Sequence, residues 1–427
     1  MRRRRFLGLA SGVAGSLAWT VTGCGKGETA GTGNVTLTVV ATDYGDLEGN
    51  DLTQTYWDDL VAGFEQGNPG VKVKVSVHAP GKAEEKVADL VAKGTPPDLA
   101  QLSDRAHHAP DLLYRADELL SIPVQADFVP ELAAAGEVRR VQYALPFAAD
   151  LQLLYYNRDL FAAAGLDPDK PPRTWEELKR AALALKGAGV NIPCGLPLGP
   201  EEAHVEAMTW LVANGGRYTG DEGLYALDSP ENIETMEWLR KELVGRGLTT
   251  ANPATTERQA LFDLFTRGQV GMLNGGLSLM RQAERKKLDY GMAPLPGNGG
   301  LAETTAGATH WMVAFRREGN QEAIKAFLGY VYAVKSHYAF ADRYHMLPVT
   351  LSGTDRMRTD KRHERMWPFL DRLGAAVFQP AHKASWVTVR REIGEHIGQA
   401  VLADGDPAGV LGTLQRAAEE EEAAREE

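Results

Sequence analysis

Alternating and helical spacings of apolar residues follow one another from residue 35 onward. Two stretches, 35–39 and 71–77, alternate apolar with polar residues and predict half-buried strands. The apolar residues within 57–64 and 87–91 recur at the spacing of one helix face, so each predicts a helix. A short apolar run at 99–102 then predicts a third strand.

Strands that alternate with helices predict an α/β fold in which a parallel sheet is joined by right-handed crossovers. Ligands of such sheets bind beyond the carboxyl ends of the strands. The first predicted strand ends at Asp43 and Tyr44, and the third ends at Ser103 and Asp104. We therefore expect these four residues to lie beside any ligand cleft.

The first residues of the chain have the pattern of an export signal. Four arginines, Arg2 to Arg5, precede a weakly apolar run over 6–21 that is rich in small residues and too short to span a membrane. Arg3-Arg4-Arg5-Phe6-Leu7 also fits a twin-arginine export pattern. We predict a signal peptide over 1–23.

The end of that run carries a candidate lipidation site. Val21-Thr22-Gly23-Cys24 resembles the bacterial lipobox, in which the cysteine is lipid-modified and becomes the first residue of the mature protein. The alternative is an ordinary buried thiol. Small and polar residues over 24–34 suit a tether. The resemblance implies an exported protein that is lipid-anchored at Cys24 to the outer face of the cell membrane.

Composition and charge narrow the class of protein further. The chain of 427 residues has a net charge of −11, which becomes more negative once Arg2 to Arg5 are removed, so nucleic acid is not an expected partner. Of the two cysteines, Cys194 has no partner if Cys24 is lipidated, and we expect a packed structural thiol there. The acidic run 419–422 predicts a solvated, fraying helix end.

Several signatures of catalysis or cofactor binding do not occur in the chain. There is no Gly-rich loop ending in Gly-Lys-Ser/Thr, no HExxH and no paired CxxC, and Met280 stands where a Gly-x-Ser-x-Gly motif would need its last glycine. The adjacent His107 and His108 suit a solvated turn better than a metal site. We expect no enzyme activity, no cofactor and no metal.

Five segments of the chain carry a resemblance to a known family. In order they are 64–75, 94–99, 145–161 with its continuation to Leu178, 265–275 and 290–296, with additional support from 214–216 and 227–231. These segments resemble the carbohydrate-binding lipoproteins and periplasmic proteins that serve ABC importers, the maltose-binding type of solute-binding protein, family 1. The resemblance covers nearly all of the predicted mature chain and is most specific from Leu145 to Phe161 and onward to Leu178.

This resemblance implies a periplasmic-binding-protein-like fold of type II. Two α/β lobes would be joined by a hinge, with the ligand in the cleft between them. The N-terminal lobe would comprise 35–147 and 303–350, and the C-terminal lobe 148–302 and 351–427. A closed, loaded form would then be read by the permease subunits of an ABC importer, and we expect the protein to be a monomer.

The same resemblance assigns candidate ligand contacts. Carboxylates accept sugar hydroxyls in charge-assisted hydrogen bonds, and aromatic rings pack on the C–H faces of a sugar. Asp150, Trp311 and Trp386 match ligand positions of relatives, with a hinge cap as the alternative for Asp150 and lobe packing for the tryptophans. Asp104 could instead cap a helix, and Asp43 with Tyr44 could form a turn.

Two departures leave the ligand open. Gly275-Gly276 replaces a sequence in which many relatives carry a tryptophan, and Gln379 replaces an arginine before Pro380. The main alternative is therefore a binding protein for a non-sugar solute, such as a polyamine or a phosphorylated compound. A secreted glycan-active enzyme and a binding protein that signals to a sensor also remain as alternatives.

Overall fold

The computed structural model describes residues 35–45, 53–103 and 110–426. Several predictions fall outside these residues: the signal peptide 1–23, the lipidation of Cys24, the tether 24–34, the ligand contact by Asp104 and the turn at His107 and His108.

The described part of the chain folds into strands and α-helices that alternate over most of its length. The strands are β1 Val35–Thr42, β2 Val71–His78, β3 Leu99–Leu102, β4 Glu137–Val138, β5 Val141–Gln142, β6 Leu145–Leu151, β7 Leu153–Asn157, β8 Ile192–Cys194, β9 Val270–Gly275, β10 Tyr290–Ala293, β11 Thr305–Ala314 and β12 Ala376–Phe378.

The helices are α1 Thr53–Gly67, α2 Lys82–Ala92, α3 Ala116–Leu119, α4 Ile122–Ala126, α5 Pro130–Ala135, α6 Arg158–Ala163, α7 Trp175–Gly187, α8 Ala203–Val212, α9 Pro230–Trp238, α10 Arg258–Thr266, α11 Leu277–Arg285, α12 Gln321–Val331, α13 Val334–Tyr344, α14 Leu351–Thr359, α15 Trp367–Leu370, α16 Trp386–His396 and α17 Pro407–Glu426. Short 3₁₀ segments lie at Pro110–Leu112, Pro253–Thr255, Lys361–Met366, Leu373–Ala375 and Ile397–Val401, and a π segment, Leu239–Val244, continues α9. None of the described helices is long and apolar enough to cross a membrane.

The larger sheet has the strand order β12-β11-β3-β1-β2, with β6 paired to β11 as well. The predicted parallel arrangement of the first three strands is confirmed, because Val35 lies opposite Val71 and Val39 lies opposite Leu99 in parallel register. β11 runs antiparallel to both β3 and β6. The sheet is therefore mixed, with parallel pairs among its first three strands and between β11 and β12.

The smaller sheet has the order β10-β7-β9-β8. Its strand β7 runs antiparallel to both neighbours, whereas β8 and β9 are parallel. We refer to the body built on the larger sheet as the first lobe and to the body built on the smaller sheet as the second lobe.

Local sequence explains where individual helices begin and which face they bury. Trp57, Leu60 and Phe64 of α1 are buried at the predicted spacing of one helix face. The Thr174 hydroxyl accepts the Glu177 amide at 3.1 Å at the start of α7. Ser229 accepts an amide in the same way at the start of α9, so both helices begin at a capping residue.

The chain passes between the two sheets three times. The first passage is a single residue, Gln152, which separates β6 of the larger sheet from β7 of the smaller one. The second runs from β10 to β11 over 294–304, and the third from β12 to α16 over 379–385. Gln152 is bonded to the start of β11, where the second passage ends. The Thr305 hydroxyl donates to the Gln152 carbonyl oxygen, and the Gln152 amide donates to the Ala306 carbonyl oxygen.

Residues 351–378 lie with the first lobe, which differs from the lobe bounds expected from the resemblance. The Leu351 amide donates to the Asp127 carbonyl oxygen at 2.6 Å, and the Ser352 amide donates to the Asp127 carboxylate. Met357 is buried in the same cluster as the first-lobe core, and β12 pairs with β11 of the larger sheet. These residues lack a clear periodic pattern that would have shown which sheet they cover.

The acidic C-terminal run is anchored, not free as its composition suggested. The Glu422 carboxylate accepts hydrogen bonds from the Lys383 ammonium and the Ser385 hydroxyl. Glu421 accepts one from Thr388 at 3.2 Å. The end of α17 is therefore tied to the start of α16.

Two leucines of α7 offer a matched test of the second-lobe core. Leu178 is fully buried, whereas Leu183 on the same helix is 43 % exposed. We expect Leu178→Ala to lower the free energy of unfolding by about 2–5 kcal/mol, because it leaves a cavity. Leu183→Ala should change it by less than about 0.5 kcal/mol. Urea unfolding followed by circular dichroism measures both, and equal losses would contradict this packing.

Candidate functional site

A cavity of about 680 Å³ lies between the two lobes. The first lobe contributes Glu84 from α2 and Ser103, which follows β3. The second lobe contributes two stretches, 200–205 at the start of α8 and 386–391 on α16. Its remaining lining comes from β11 and from the third passage between the lobes, so the cavity adjoins the hinge. We refer to this cavity as the cleft.

On the first-lobe wall, one carboxylate is held in place by its neighbour. The Ser103 amide donates to Glu84 Oε1 at 2.8 Å, and the Ser103 hydroxyl donates to the same oxygen. Ser103 lies at the carboxyl end of β3, where a parallel sheet is expected to bind ligands.

The second-lobe wall presents Glu202 at the start of α8, where its side chain is 48 % exposed. His204, also in the cleft lining, is half-buried, and burial first and the nearby cations Arg390 and Arg258 second lower its pKa to about 3. His204 is therefore neutral at physiological pH and can accept or donate one hydrogen bond at each ring nitrogen.

Beneath this wall lies a buried polar network centred on Arg258, the first residue of α10. Its guanidinium donates to Gln152 Oε1 at 3.0 Å and to Glu206 Oε2 at 3.2 Å, and its Nε lies 3.1 Å from Glu202 Oε2. Glu206 is fully buried, and its other oxygen accepts hydrogen bonds from Trp210 and Asn274. Burial raises the pKa of Glu206, while Arg258 and these donors oppose the rise.

Asp150, predicted as a ligand contact or hinge cap, satisfies the start of a helix. Its Oδ1 accepts a hydrogen bond from the Leu277 amide at the N-terminus of α11, at 2.9 Å. The same oxygen accepts one from the amide of the next residue, Leu151, at 2.8 Å. Burial raises the pKa of Asp150, and the bond from Leu277 is the main opposing effect. The geometry fits the capping alternative, and a direct ligand contact stays a prediction.

This cap also explains the glycine pair that replaces the aromatic residue of relatives. A Cβ atom at Gly276 would overlap the Asp150 carboxylate, and one at Gly275 would overlap the Leu279 side chain. With the carboxylate in this position, only glycine fits at 276. Asp150 and Gly276 therefore form one unit.

Asp43 and Tyr44 lie at the end of β1, as predicted, but their side chains bond within the protein. Asp43 Oδ1 accepts the Thr53 hydroxyl at 2.6 Å and the Gly45 amide at 2.9 Å, which is the turn alternative. The Tyr44 hydroxyl lies 2.6 Å from Nδ1 of His310, a residue that lines the cleft. Tyr44 thus reaches the cleft through His310, and the ligand contacts of both residues remain untested.

The two tryptophans adjoin the cleft but are core residues in this structure. Trp311 is 2 % exposed and packs over Gly136, and Trp386 is 1 % exposed and lies 5.6 Å from the ring of Tyr218. Neither indole presents a free ring face to the cleft. Their predicted stacking on a sugar would need the side chains to turn outward, and it stays a prediction.

The sequence reading missed most of the polar cleft lining. Glu202 and His204 follow the second strand of the second lobe in chain order, so their position after a strand was a usable signal. That strand, β8, has only three residues and no alternation that would reveal it. Glu84 gave no such signal, because it lies in the first turn of a helix.

The geometry can now be set beside known proteins. The family model for bacterial extracellular solute-binding proteins matches residues 49–337. The chain belongs to this family. Its members bind solutes outside the cytoplasm, and binding a solute for an ABC transporter is therefore the coarse function of this chain. The family comprises binding proteins, not enzymes.

Individual relatives are distant in sequence. One relative is a Brucella abortus protein that is named only as a binding protein. It is 26 % identical over 303 residues, which cover 70 % of this chain and 73 % of the relative. An sn-glycerol-3-phosphate-binding periplasmic protein of Brucella abortus is 27 % identical over 243 residues, which cover 54 % of this chain and 55 % of that protein.

Among solved structures, the cyclic α-maltosyl-1,6-maltose-binding protein of Arthrobacter globiformis has a similar fold. The TM-score is 0.78 at 20 % identity, over 92 % of this chain and all of that one. The predicted type II periplasmic-binding-protein fold is thereby confirmed.

Two half-buried histidines of the cleft make stability depend on pH. The folded pKa of His204, about 3, lies below its ordinary value of 6.5, and burial also lowers that of His310 to about 4. As the pH falls, these histidines are protonated in the unfolded chain before they are protonated in the folded protein. The free energy of unfolding that they contribute above pH 6.5 is therefore lost as the pH falls toward 4.

We expect His204→Gln to make this fall in unfolding free energy shallower between pH 6.5 and 4. His396→Gln is the matched control, since that histidine is 55 % exposed. Denaturant unfolding at a series of pH values measures the slopes, and an unchanged slope for His204→Gln would contradict the burial of its neutral form.

Proposed function

We propose that the chain binds a carbohydrate, a mono- or oligosaccharide, in the cleft and delivers it to the permease subunits of an ABC importer. The observation that carries the proposal is the cleft itself, whose volume of about 680 Å³ falls within the range of about 300–1,000 Å³ typical of small-molecule sites. Hydrogen-bonding groups line it from both lobes.

The polar lining suits neutral hydroxyl groups. Glu84 and Glu202 supply carboxylate oxygens from opposite walls, and such oxygens accept hydroxyl protons in strong, charge-assisted hydrogen bonds. Hydrogen bonds from Ser103 hold Glu84 in place without the ligand, and Glu202 lies within ion-pair distance of Arg258. The Arthrobacter globiformis neighbour, named for the oligosaccharide that it binds, adds support by analogy of fold alone.

A ligand that touches both walls would favour the closed arrangement of the lobes. Closure can be driven only by the difference in ligand affinity between the closed and open forms. Glu84 and Glu202 belong to different lobes, so a ligand bonded to both gains one of these contacts only on closure.

Thermal unfolding of residues 25–427 with mono-, di- and oligosaccharides tests this proposal. A sugar at a hundred times its dissociation constant should stabilise the protein by about 2.7 kcal/mol and raise its melting temperature.

Glu202→Gln should weaken the binding of this sugar about tenfold, because one charged acceptor is lost. Glu237→Gln, on an exposed carboxylate paired with Lys241, is the matched control and should bind normally.

Two outcomes would contradict the sugar proposal. One is a flat response to every sugar together with stabilisation by a different solute. The other is chemical change of the recovered sugar, which would favour the glycan-active enzyme instead.

A phosphorylated polyol is the second candidate, because relatives named for sn-glycerol-3-phosphate match more than half of the chain. Arg390 and Arg391 line the cleft beside His204, and guanidinium groups bind phosphate bidentately. Stabilisation by glycerol-3-phosphate but not by glycerol, lost at high salt, would replace the sugar proposal with this one.

We further propose that the mature protein is a monomer anchored by lipid at Cys24. In a bacterial host, the full chain should partition into the detergent phase of a Triton X-114 extraction, and Cys24→Ser should move it to the aqueous phase. Cys194→Ser is the control, since that thiol is buried and should leave the partition unchanged. A membrane-bound Cys24→Ser variant would contradict the anchor.

A further inference from the structure

The network around Arg258 connects the passage between the two sheets with the wall of the cleft. At one end is Gln152, the single residue between strands of the two sheets. At the other is Glu202, whose carboxylate faces the cleft. Arg258 lies between them, 6 % exposed, and contacts both side chains.

At the hinge, Arg258 holds a residue that is already fixed by its backbone. The Gln152 amide donates to the Ala306 carbonyl oxygen at 3.0 Å, and its own carbonyl oxygen accepts the Thr305 hydroxyl. Its side chain is 6 % exposed and accepts the Arg258 guanidinium. A rotation of the backbone at Gln152 therefore has to displace the guanidinium or break that hydrogen bond.

At the cleft, the contact between Arg258 and Glu202 is incomplete. Arg258 Nε lies 3.1 Å from Glu202 Oε2, yet this buried N–H makes no hydrogen bond of acceptable geometry. Within the described chain, Glu202 Oε1 accepts no hydrogen bond from a side chain. A small rotation of the Glu202 carboxylate would satisfy the N–H and present Oε1 to a ligand hydroxyl.

Two further groups set the charge of the network. Glu206 is a second carboxylate on the same guanidinium and is fixed by Trp210 and Asn274, so Arg258 cannot move toward the cleft without leaving it. Arg258 also lowers the pKa of His204, which lines the cleft. The Arg258 guanidinium thus affects the charge of the cleft wall, while its hydrogen bond to the buried Glu206 sets its position.

We propose that Arg258 is a positioning residue that couples the ligand-facing carboxylate of Glu202 to the hinge at Gln152, so that ligand binding at Glu202 changes the equilibrium between open and closed lobes. The part of this proposal that concerns the ligand rests on the proposed function. The part that concerns the ligand-free protein does not depend on which solute is bound. In that state, loss of the guanidinium releases the Gln152 side chain and changes the distribution of lobe orientations.

The experiment uses residues 25–427, which include every described helix and strand, with one spin label on each lobe. Ile122→Cys and Leu224→Cys place the labels, because these side chains are 80 % and 64 % exposed on the first and second lobes. The native Cys194 is buried, and burial raises the pKa of its thiol, so it should not compete for the label. Pulsed electron paramagnetic resonance then gives the interlobe distance distribution.

In the ligand-free protein, Arg258→Gln should shift or broaden the distribution, and Arg258→Lys should have a smaller effect, since lysine keeps the charge but not the forked geometry. Arg246→Gln is the matched control, because Arg246 pairs with Glu242 on the surface of the same lobe. An unchanged distribution in Arg258→Gln, with only a lower melting temperature, would overturn the proposal and leave a purely structural role.

A double-mutant cycle tests the link to the ligand, with maltose, mannotriose and glycerol-3-phosphate as probes. Arg258→Gln and Glu202→Gln should each weaken the probe that binds by tenfold or more, and the double variant should be little weaker than either. Losses that multiply independently would overturn the coupling. If no sugar stabilises the unaltered protein while a different solute does, the proposed function fails, while the ligand-free distances still decide the role of Arg258.

Discussion

The passage of the chain from one sheet to the other through a single residue, Gln152, constrains the rest of the structure. β6 ends in the larger sheet at Leu151 and β7 begins in the smaller sheet at Leu153, so no slack separates the lobes at this point. Two more passages, over 294–304 and 379–385, lie beside it. Three passages restrict the two lobes to a hinge motion. Because the walls of the cleft belong to different lobes, this motion changes the distance between them.

The cleft follows from the same arrangement. Its first-lobe wall lies at the carboxyl end of β3, and its second-lobe wall is formed by the starts of α8 and α16. Two of the carboxylates beside it are held by hydrogen bonds, Glu84 by Ser103 and Asp150 by the N-terminus of α11, and Glu202 forms an ion pair with Arg258. A carboxylate that is positioned before the ligand arrives loses little conformational entropy on binding. This arrangement suits neutral hydroxyl groups in a protein whose net charge is negative.

Periodicity was sufficient to predict the first three strands and α1, and the capping residues Thr174 and Ser229 mark the starts of α7 and α9 in the sequence. These elements are long or have a capping residue, and their apolar faces repeat at one spacing. The lobe assignment of 351–378 could not be predicted in this way, because short helices and a three-residue strand lack a repeat that identifies the sheet they cover. The fold as a whole was predictable from the ordered segments that resemble the family.

The candidate site was less predictable than the fold. Asp43, Tyr44 and Asp150 lie at the strand ends where the sequence placed them, but each side chain bonds within the protein. Trp311 and Trp386 were chosen by residue type and position, and the sequence contains no sign that they would be buried. Glu202 and Arg258 are 56 residues apart in the chain, and only the folded second lobe brings them together.

The most direct test of the sugar-binding account is a crystal structure of residues 25–427 grown with the sugar that stabilises the protein most. The account predicts electron density for the sugar between the two walls, with hydroxyl groups bonded to Glu84 on one side and Glu202 on the other. Density for the sugar on the outside of a single lobe, with the cleft filled by solvent alone, would contradict it.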